Sequence, residues 1–216
     1  MDPRISAVLS TLEKQSFAEK TGQIDLPRGE MMQAITHDTG LFFNVLIIAG
    51  KAKRILEIGT SAGYSALWFA DALKINYGTQ KPVKAIITIE SNPSKAVAAR
   101  KNFKNAGVGS MIEILEGNAL DSLKAMSKAY SKNSPARDKK FDLVFLDADK
   151  ENLIEYFDLA LPMTRVGGII AADNVLYPDE YRDVMQRYLD YISKVKNVQS
   201  VTVPIGNGEE LSVKLA

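Results

Sequence analysis

Five apolar, strand-like runs alternate with helical segments along this chain, and that alternation leaves few folds open. The runs cover residues 54–58, 83–89, 111–115, 141–146 and 168–172. They are short and rich in β-branched and aromatic residues, as strands require. Between them, residues 64–73, 93–106 and 119–128, and a stretch from Lys150 to near Pro162, carry helical spacing or helix signals. Asn92-Pro93 supplies a cap and a first-turn proline, and Gly107 supplies a stop. A further helix is expected over 181–195. Residues 198–204 and 210–214 then flank Gly206-Asn207-Gly208, a hairpin signal. The pattern predicts an α/β fold: a Rossmann-like, doubly wound sheet of seven strands, mostly parallel, with helices on both faces and an antiparallel hairpin at the end.

The segment before the first strand reads differently. Ile5, Val8, Leu9 and Leu12 keep helical spacing, residues 22–29 read as a loop, and residues 31–48 read as a second helix. Residues 131–140 are polar, contain Pro135 and read as an exposed loop. No repeat, low-complexity tract or interdomain linker interrupts the chain. The expectation is one domain over residues 1–216, with a helical extension over about 1–50. Apolar residues make up 46% of the 216, enough for a substantial core. Lysine plus arginine number 27 against 26 aspartate plus glutamate, so charge gives no case for a nucleic-acid or membrane partner. Cysteine is absent, which excludes disulfides, thiolate metal sites and cysteine nucleophiles. No run is long enough to cross a bilayer, and the first residues lack a signal-peptide pattern. A cytoplasmic location is the expectation.

Two of the strands end in oxygen ligands. The fourth runs into Asp147-Ala148-Asp149-Lys150, and the fifth into Asp173-Asn174. If these strands are parallel neighbours, Asp147, Asp173 and Asn174 meet at the carboxyl edge of the sheet, where open α/β sheets bind ligands. Two carboxylates and an amide oxygen suit a hard divalent cation with open positions: magnesium first, then manganese or calcium. The plainer alternative is that Asp149 caps a helix and Asp173-Asn174 makes a turn.

The first strand and the helix after it are joined by Gly59-Thr60-Ser61-Ala62-Gly63. Glycine allows the tight turn and a close ligand approach, and the helix start offers free N–H groups. A dinucleotide site would need G-x-G-x-x-G to seat a pyrophosphate. Here the spacing is Gly-x-x-x-Gly, and Glu57 precedes it by two residues, which suits a cationic or amino-bearing ligand better than a phosphate. Glu90, at the end of the second strand, is placed to accept both hydroxyls of a ribose. Together they point to a nucleoside with a positive, phosphate-free group, S-adenosylmethionine. The plainer reading is a βαβ turn with exposed acids.

With these residues placed, the chain resembles the cation-dependent O-methyltransferases of the caffeoyl-CoA and catechol O-methyltransferase family. Glu57 to Ser65 resembles the family's first cofactor motif. Phe145-Leu146-Asp147-Ala148-Asp149-Lys150 with Asn152 resembles its V-D-A-D-K-x-N-Y segment. Gly167-Gly168 through Asp173-Asn174-Val175-Leu176 resembles its G-G-x-x-x-x-D-N-x-L-W segment, and Pro204 to Gly208 its P-x-G-D-G hairpin. The resemblance implies that Glu57, Gly59, Thr60, Gly63, Ser65, Glu90, Ala119, Asp147 and Asp149 line the cofactor. It implies that Asp147, Asp173 and Asn174 hold the metal and that Lys150 is the general base beside a catalytic Asp147. It also implies a homodimer. The chain departs from the family at Ile35-Thr36-His37-Asp38-Thr39-Gly40, where Thr-Ser-Ala-Asp-Glu-Gly is common, and at Tyr177, where tryptophan is usual. The segment after Tyr177 is short, which favours a small ortho-dihydroxy aromatic acceptor over a coenzyme A ester.

Other readings stay open at this point: a metal-independent methyltransferase acting on RNA or protein, or a non-catalytic module that binds the cofactor. His37, the single histidine, could approach the site or simply pack. Trp68 and Phe69 read as core, and Tyr177 or Tyr181 could stack on an aromatic acceptor.

Overall fold

The computed structural model describes residues 1–27, 29–133 and 140–216. Most of the expected 131–140 loop lies outside the described residues. Seven strands form one sheet in the order β3-β2-β1-β4-β5-β7-β6. They are β1 (Ile55–Ile58), β2 (Ile86–Glu90), β3 (Ile112–Glu116), β4 (Phe141–Leu146), β5 (Thr164–Asp173), β6 (Val198–Val203) and β7 (Glu209–Lys214). The first five run parallel, and β7 pairs antiparallel with both β5 and β6. The strand order reverses between β1 and β4, so the crevice at their carboxyl ends is the topological switch point of the sheet.

Among the described residues, seven α-helices cover the sheet: α1 (Pro3–Lys20), α2 (His37–Ala49), α3 (Tyr64–Tyr77), α4 (Pro93–Asn105), α5 (Ala119–Asn133), α6 (Leu153–Ala160) and α7 (Arg182–Ile192). Two apolar clusters form, one on each face of the sheet. Phe43, Trp68, Phe69, Phe103 and Phe145 belong to the first; Leu123, Tyr156, Phe157, Met185 and Tyr188 belong to the second. Every residue of β1 is buried, as a central parallel strand covered on both sides must be. α3 is buried continuously from Tyr64 to Leu73, which explains why an apolar helix with so little polar face is stable there.

Several expected boundaries move, each for a local reason. β2 begins at Ile86 rather than at 83, because Lys84 has φ +51°, outside extended geometry. α2 begins at His37 rather than at 31: Thr36 caps it, its hydroxyl accepting from the Thr39 N–H at 3.1 Å. β5 extends back to Thr164, across an irregularity opposite Phe141 that Gly167, at φ +72°, accommodates. α5 continues to Asn133, and α7 is shorter at both ends than expected. No helix among the described residues is long and apolar enough to cross a membrane.

Candidate functional site

A cleft of about 610 Å³ opens at the carboxyl edge of β1, β2, β4 and β5. Gly59, Glu90, Ala119, Asp147, Asp149, Lys150, Asp173 and Asn174 all line it, so residues drawn from five separate sequence segments meet in one place. Glu57, Thr60, Gly63 and Ser65 do not line it; they form a layer beneath. The cleft also takes in Lys20, Gln33, Ser61, Lys95, Asn118, Tyr156, Pro178, Tyr181 and Asn207, none of them singled out for the cofactor or metal from sequence. Of these, Ser61 could have been found, since it sits inside the glycine turn.

The turn after β1 is shaped by the strand next to it. Gly59 has φ +103°, and a Cβ there would strike the Asp147 carbonyl oxygen, so only glycine lets β1 and β4 end this close together. A Cβ on Gly63, at φ +85°, would meet the Phe103 ring. Beneath the turn, Glu57 is wholly buried, and its two oxygens accept from the Ser65 and Thr88 hydroxyls at 2.5 Å each. Thr60 and Thr88 share a further 2.5 Å contact. Burial pushes the Glu57 carboxyl up to about 8, against the pull of the two hydroxyls. Glu57 therefore braces the turn from below and has no surface on the cleft.

Glu90 does face the cleft. One of its oxygens accepts from the Ser61 N–H at 2.7 Å and the other from the Asn92 N–H at 2.8 Å. These two donors fix the carboxylate plane and leave lone pairs for a vicinal diol. Asp149 accepts from Asn152 Nδ2 and from the Tyr156 hydroxyl, which hold it in the cleft lining. Asp149 thus caps no helix by side-chain bonding.

At the floor, Lys150 Nζ lies 3.0 Å from Asp147 Oδ1, and Lys150 is 8% exposed. It opens a single 3₁₀ turn that precedes α6. Asp173 is 3% exposed; burial and the neighbouring Asp147 charge both push its carboxyl up. Asn174 follows at φ +69°, a left-handed conformation that asparagine tolerates. Glu209, in the first position of β7, stands directly opposite Asp173 in the strand pairing and is wholly buried.

Among the described residues, no three His, Cys, Asp or Glu side chains are gathered as a ready metal cage. Asp147, Asp173 and Asn174 offer two carboxylates and an amide, and Lys150 holds Asp147. These donors fit a divalent cation on chemical grounds: they are all hard oxygens, and Asp173 is a buried acid whose neighbouring charge is also negative. A dication is the kind of charge that such a pair lacks.

The remaining sequence candidates are placed as follows. His37 lies outside the cleft, 3.0 Å from Glu13 Oε1 and edge-on to Trp68 with ring centroids 5.1 Å apart. Trp68 is core. Tyr177 is 61% exposed and off the cleft, whereas Tyr181 lines it beside Pro178. The backbone N–H groups of Leu176 and Tyr177 donate to the Asn207 carbonyl at 3.0 and 3.1 Å, which ties this wall to the β6–β7 hairpin.

Comparison with known proteins gives a consistent picture. The O-methyltransferase family model matches residues 6–215. A catechol O-methyltransferase of Niastella koreensis is 38% identical over 143 residues, covering 66% of this chain and 58% of that protein. A catechol O-methyltransferase of Mycobacterium tuberculosis is 34% identical over 175 residues, covering 81% of this chain and 66% of that protein. The chain therefore spans less than two thirds of the length of either relative. Among solved structures, an O-methyltransferase from Bacillus cereus in complex with SAH superposes with a TM-score of 0.75 at 27% identity, covering 96% of this chain and 90% of that one. The O-methyltransferase TomG from Streptomyces achromogenes, in complex with SAM, gives 0.75 at 28% identity, covering 100% and 91%.

Proposed function

Since the chain belongs to the O-methyltransferase family, we propose that it transfers a methyl group from S-adenosylmethionine to one hydroxyl of a small catechol-like acceptor, with a divalent cation, magnesium first, as partner. The observation that carries this reading is the convergence of Glu90, Asp147, Lys150, Asp173 and Asn174 on one cleft. The relatives named catechol O-methyltransferase support the acceptor class.

In this reading Glu90 receives the ribose hydroxyls, and Gly59 and Ser61 form the turn against which the methionine portion lies. Asp147, Asp173 and Asn174 would hold the ion, which would supply a Lewis acid that lowers the pKa of a chelated hydroxyl. Lys150 Nζ, at the cleft floor, would take the hydroxyl proton as the neutral amine, once the ion replaces it as the partner of Asp147. The acceptor oxygen then forms the bond to the methyl carbon as the carbon–sulfur bond breaks, and the sulfonium leaves as a neutral thioether. Fixing oxygen, carbon and sulfur in line is the larger part of the task, and such positioning can supply roughly 7–11 kcal/mol of the barrier. Tyr181 and Pro178 line the cleft and would wall the space for an aromatic ring.

A homodimer is part of the same proposal. Leu41 and Val45, one turn apart on α2, are 46% and 57% exposed and offer an apolar strip for a second copy. The function is tested by a methyl-transfer screen over catechols, flavonoids and coenzyme A esters. Turnover of the diphenols is expected; a screen in which only the coenzyme A esters react would overturn the acceptor class.

A further inference from the structure

Glu209 is a buried acid that the proposed reaction does not use. Its position is set by the sheet: in the antiparallel pairing of β5 and β7, Glu209 stands directly across from Asp173. Residues paired in this way project from the same face of the sheet, so the two carboxyls face each other. The Thr39 hydroxyl, in the first turn of α2, donates to Glu209 Oε1 at 3.3 Å. Oε2 is buried and receives no N–H or hydroxyl donor; the Asp173 carboxyl is the group with which it can share a proton.

That arrangement is costly as it stands. Two carboxyls side by side are both acceptors unless one keeps its proton, and burial with the Asp173 charge pushes Glu209 up, so without an ion the pair holds a proton where a counter-charge is wanted. Asp147 adds a third acid nearby, and the cation placed against the group is Lys150, 3.0 Å from Asp147. With all three acids ionised, one positive charge would leave the cluster short of positive charge. Glu209 is also not needed to hold the hairpin: Gly206 already packs against Thr36 and Thr39, and the Leu176 and Tyr177 N–H groups already grip Asn207.

We propose that Glu209 belongs to the cation site, its Oε2 serving as a further donor to the ion held by Asp173. This rests on the metal-dependent reading above and extends it: the site would have three carboxylates and one amide rather than two and one. A greater ligand charge strengthens binding of a hard dication and favours ions that accept more oxygen ligands.

The test uses the full-length protein and manganous chloride, with free Mn2+ counted by electron paramagnetic resonance. S-adenosylmethionine affinity serves as the control, since Glu209 does not line the cleft. Glu209→Gln is expected to weaken Mn2+ binding by about tenfold or more, within the range for altered metal surroundings, while cofactor affinity stays unchanged. Gln can still donate a hydrogen bond to Asp173, so Mn2+ affinity equal to wild type would mean that Glu209 only lends Asp173 a proton, and the proposal would be overturned. Glu209→Leu removes the buried acid without adding an unpaired donor and guards against misfolding of the first variant. It too must lose Mn2+ affinity, and wild-type affinity would overturn the proposal. Wild-type protein that binds no Mn2+ would instead reject the metal-dependent reading itself.

Discussion

At the scale of single residues, the cleft is shaped in part by side chains that have no surface on it. Glu57 is the leading case. Unfolded, its carboxyl loses its proton near 4.5; folded, it keeps it to about 8. Between those values unfolding releases a proton, so stability falls as pH rises, by at most about 1.4 kcal/mol per pH unit. The melting temperature of the cofactor-free protein is expected to decline from pH 5 to pH 8. Asp173 and Glu209, both pushed up by burial, act in the same direction. Glu57→Gln is expected to flatten part of that decline, and a pH profile identical to wild type would reject a protonated Glu57. Glu90 acts on the other side of the turn. Glu90→Ala is expected to weaken S-adenosylmethionine binding by roughly 1–3 kcal/mol through lost charge-assisted hydrogen bonds, read by calorimetry. An unchanged dissociation constant would remove the ribose role. Gly59 is fixed by a different constraint: any Cβ there meets the Asp147 carbonyl oxygen. Gly59→Ala is expected to lower stability by about 1–3 kcal/mol, measured by urea denaturation, because β1 and β4 must part to admit it.

At the scale of elements, the β6–β7 hairpin braces the segment from Val175 to Tyr177, the wall proposed to face the acceptor. Gly208 has φ +90°, and a Cβ there would sit 2.5 Å from Leu176 Cγ. Gly208→Ala is therefore expected to displace the segment from Val175 to Pro178, raising KM for the acceptor while leaving cofactor affinity near wild type. A change confined to the cofactor would count against this division of labour. The hairpin itself was legible in sequence, because Gly206-Asn207-Gly208 between two alternating runs has few other uses. Helix and strand cores were equally legible from periodicity. Their ends were not, because ends depend on single backbone angles and caps: φ +51° at Lys84, the Thr36 hydroxyl ahead of α2, the irregularity opposite Phe141 in β5. None of these leaves a periodic trace.

At the scale of the whole molecule, the order of strands decides which residues meet. Asp147 and Asp173 are 26 positions apart in the chain, yet they end adjacent strands, as the strand–helix alternation implied. What the alternation could not convey is depth. Glu57, Thr60 and Ser65 carry the same motif signal as Gly59, but strand pairing and the packing of α3 put them under the cleft rather than on its surface. Glu209 escaped notice because one acid at the start of a hairpin strand resembles a solvent-facing residue until its partner strand is known. The exposed strip at Leu41 and Val45 belongs to this scale as well. Leu41→Glu with Val45→Glu is expected to convert a dimer to a monomer in sedimentation velocity, and an unaltered dimer would place the interface elsewhere.

The central claim is that a divalent ion, held at the carboxyl edge of the sheet, aligns a diphenol with the methyl donor. It is tested most directly by following methyl transfer from labelled S-adenosylmethionine to catechol before and after EDTA treatment, then after adding back magnesium. Turnover is expected that the chelator abolishes and magnesium restores, with none restored in Asp147→Ala. Full turnover in the presence of EDTA would contradict it.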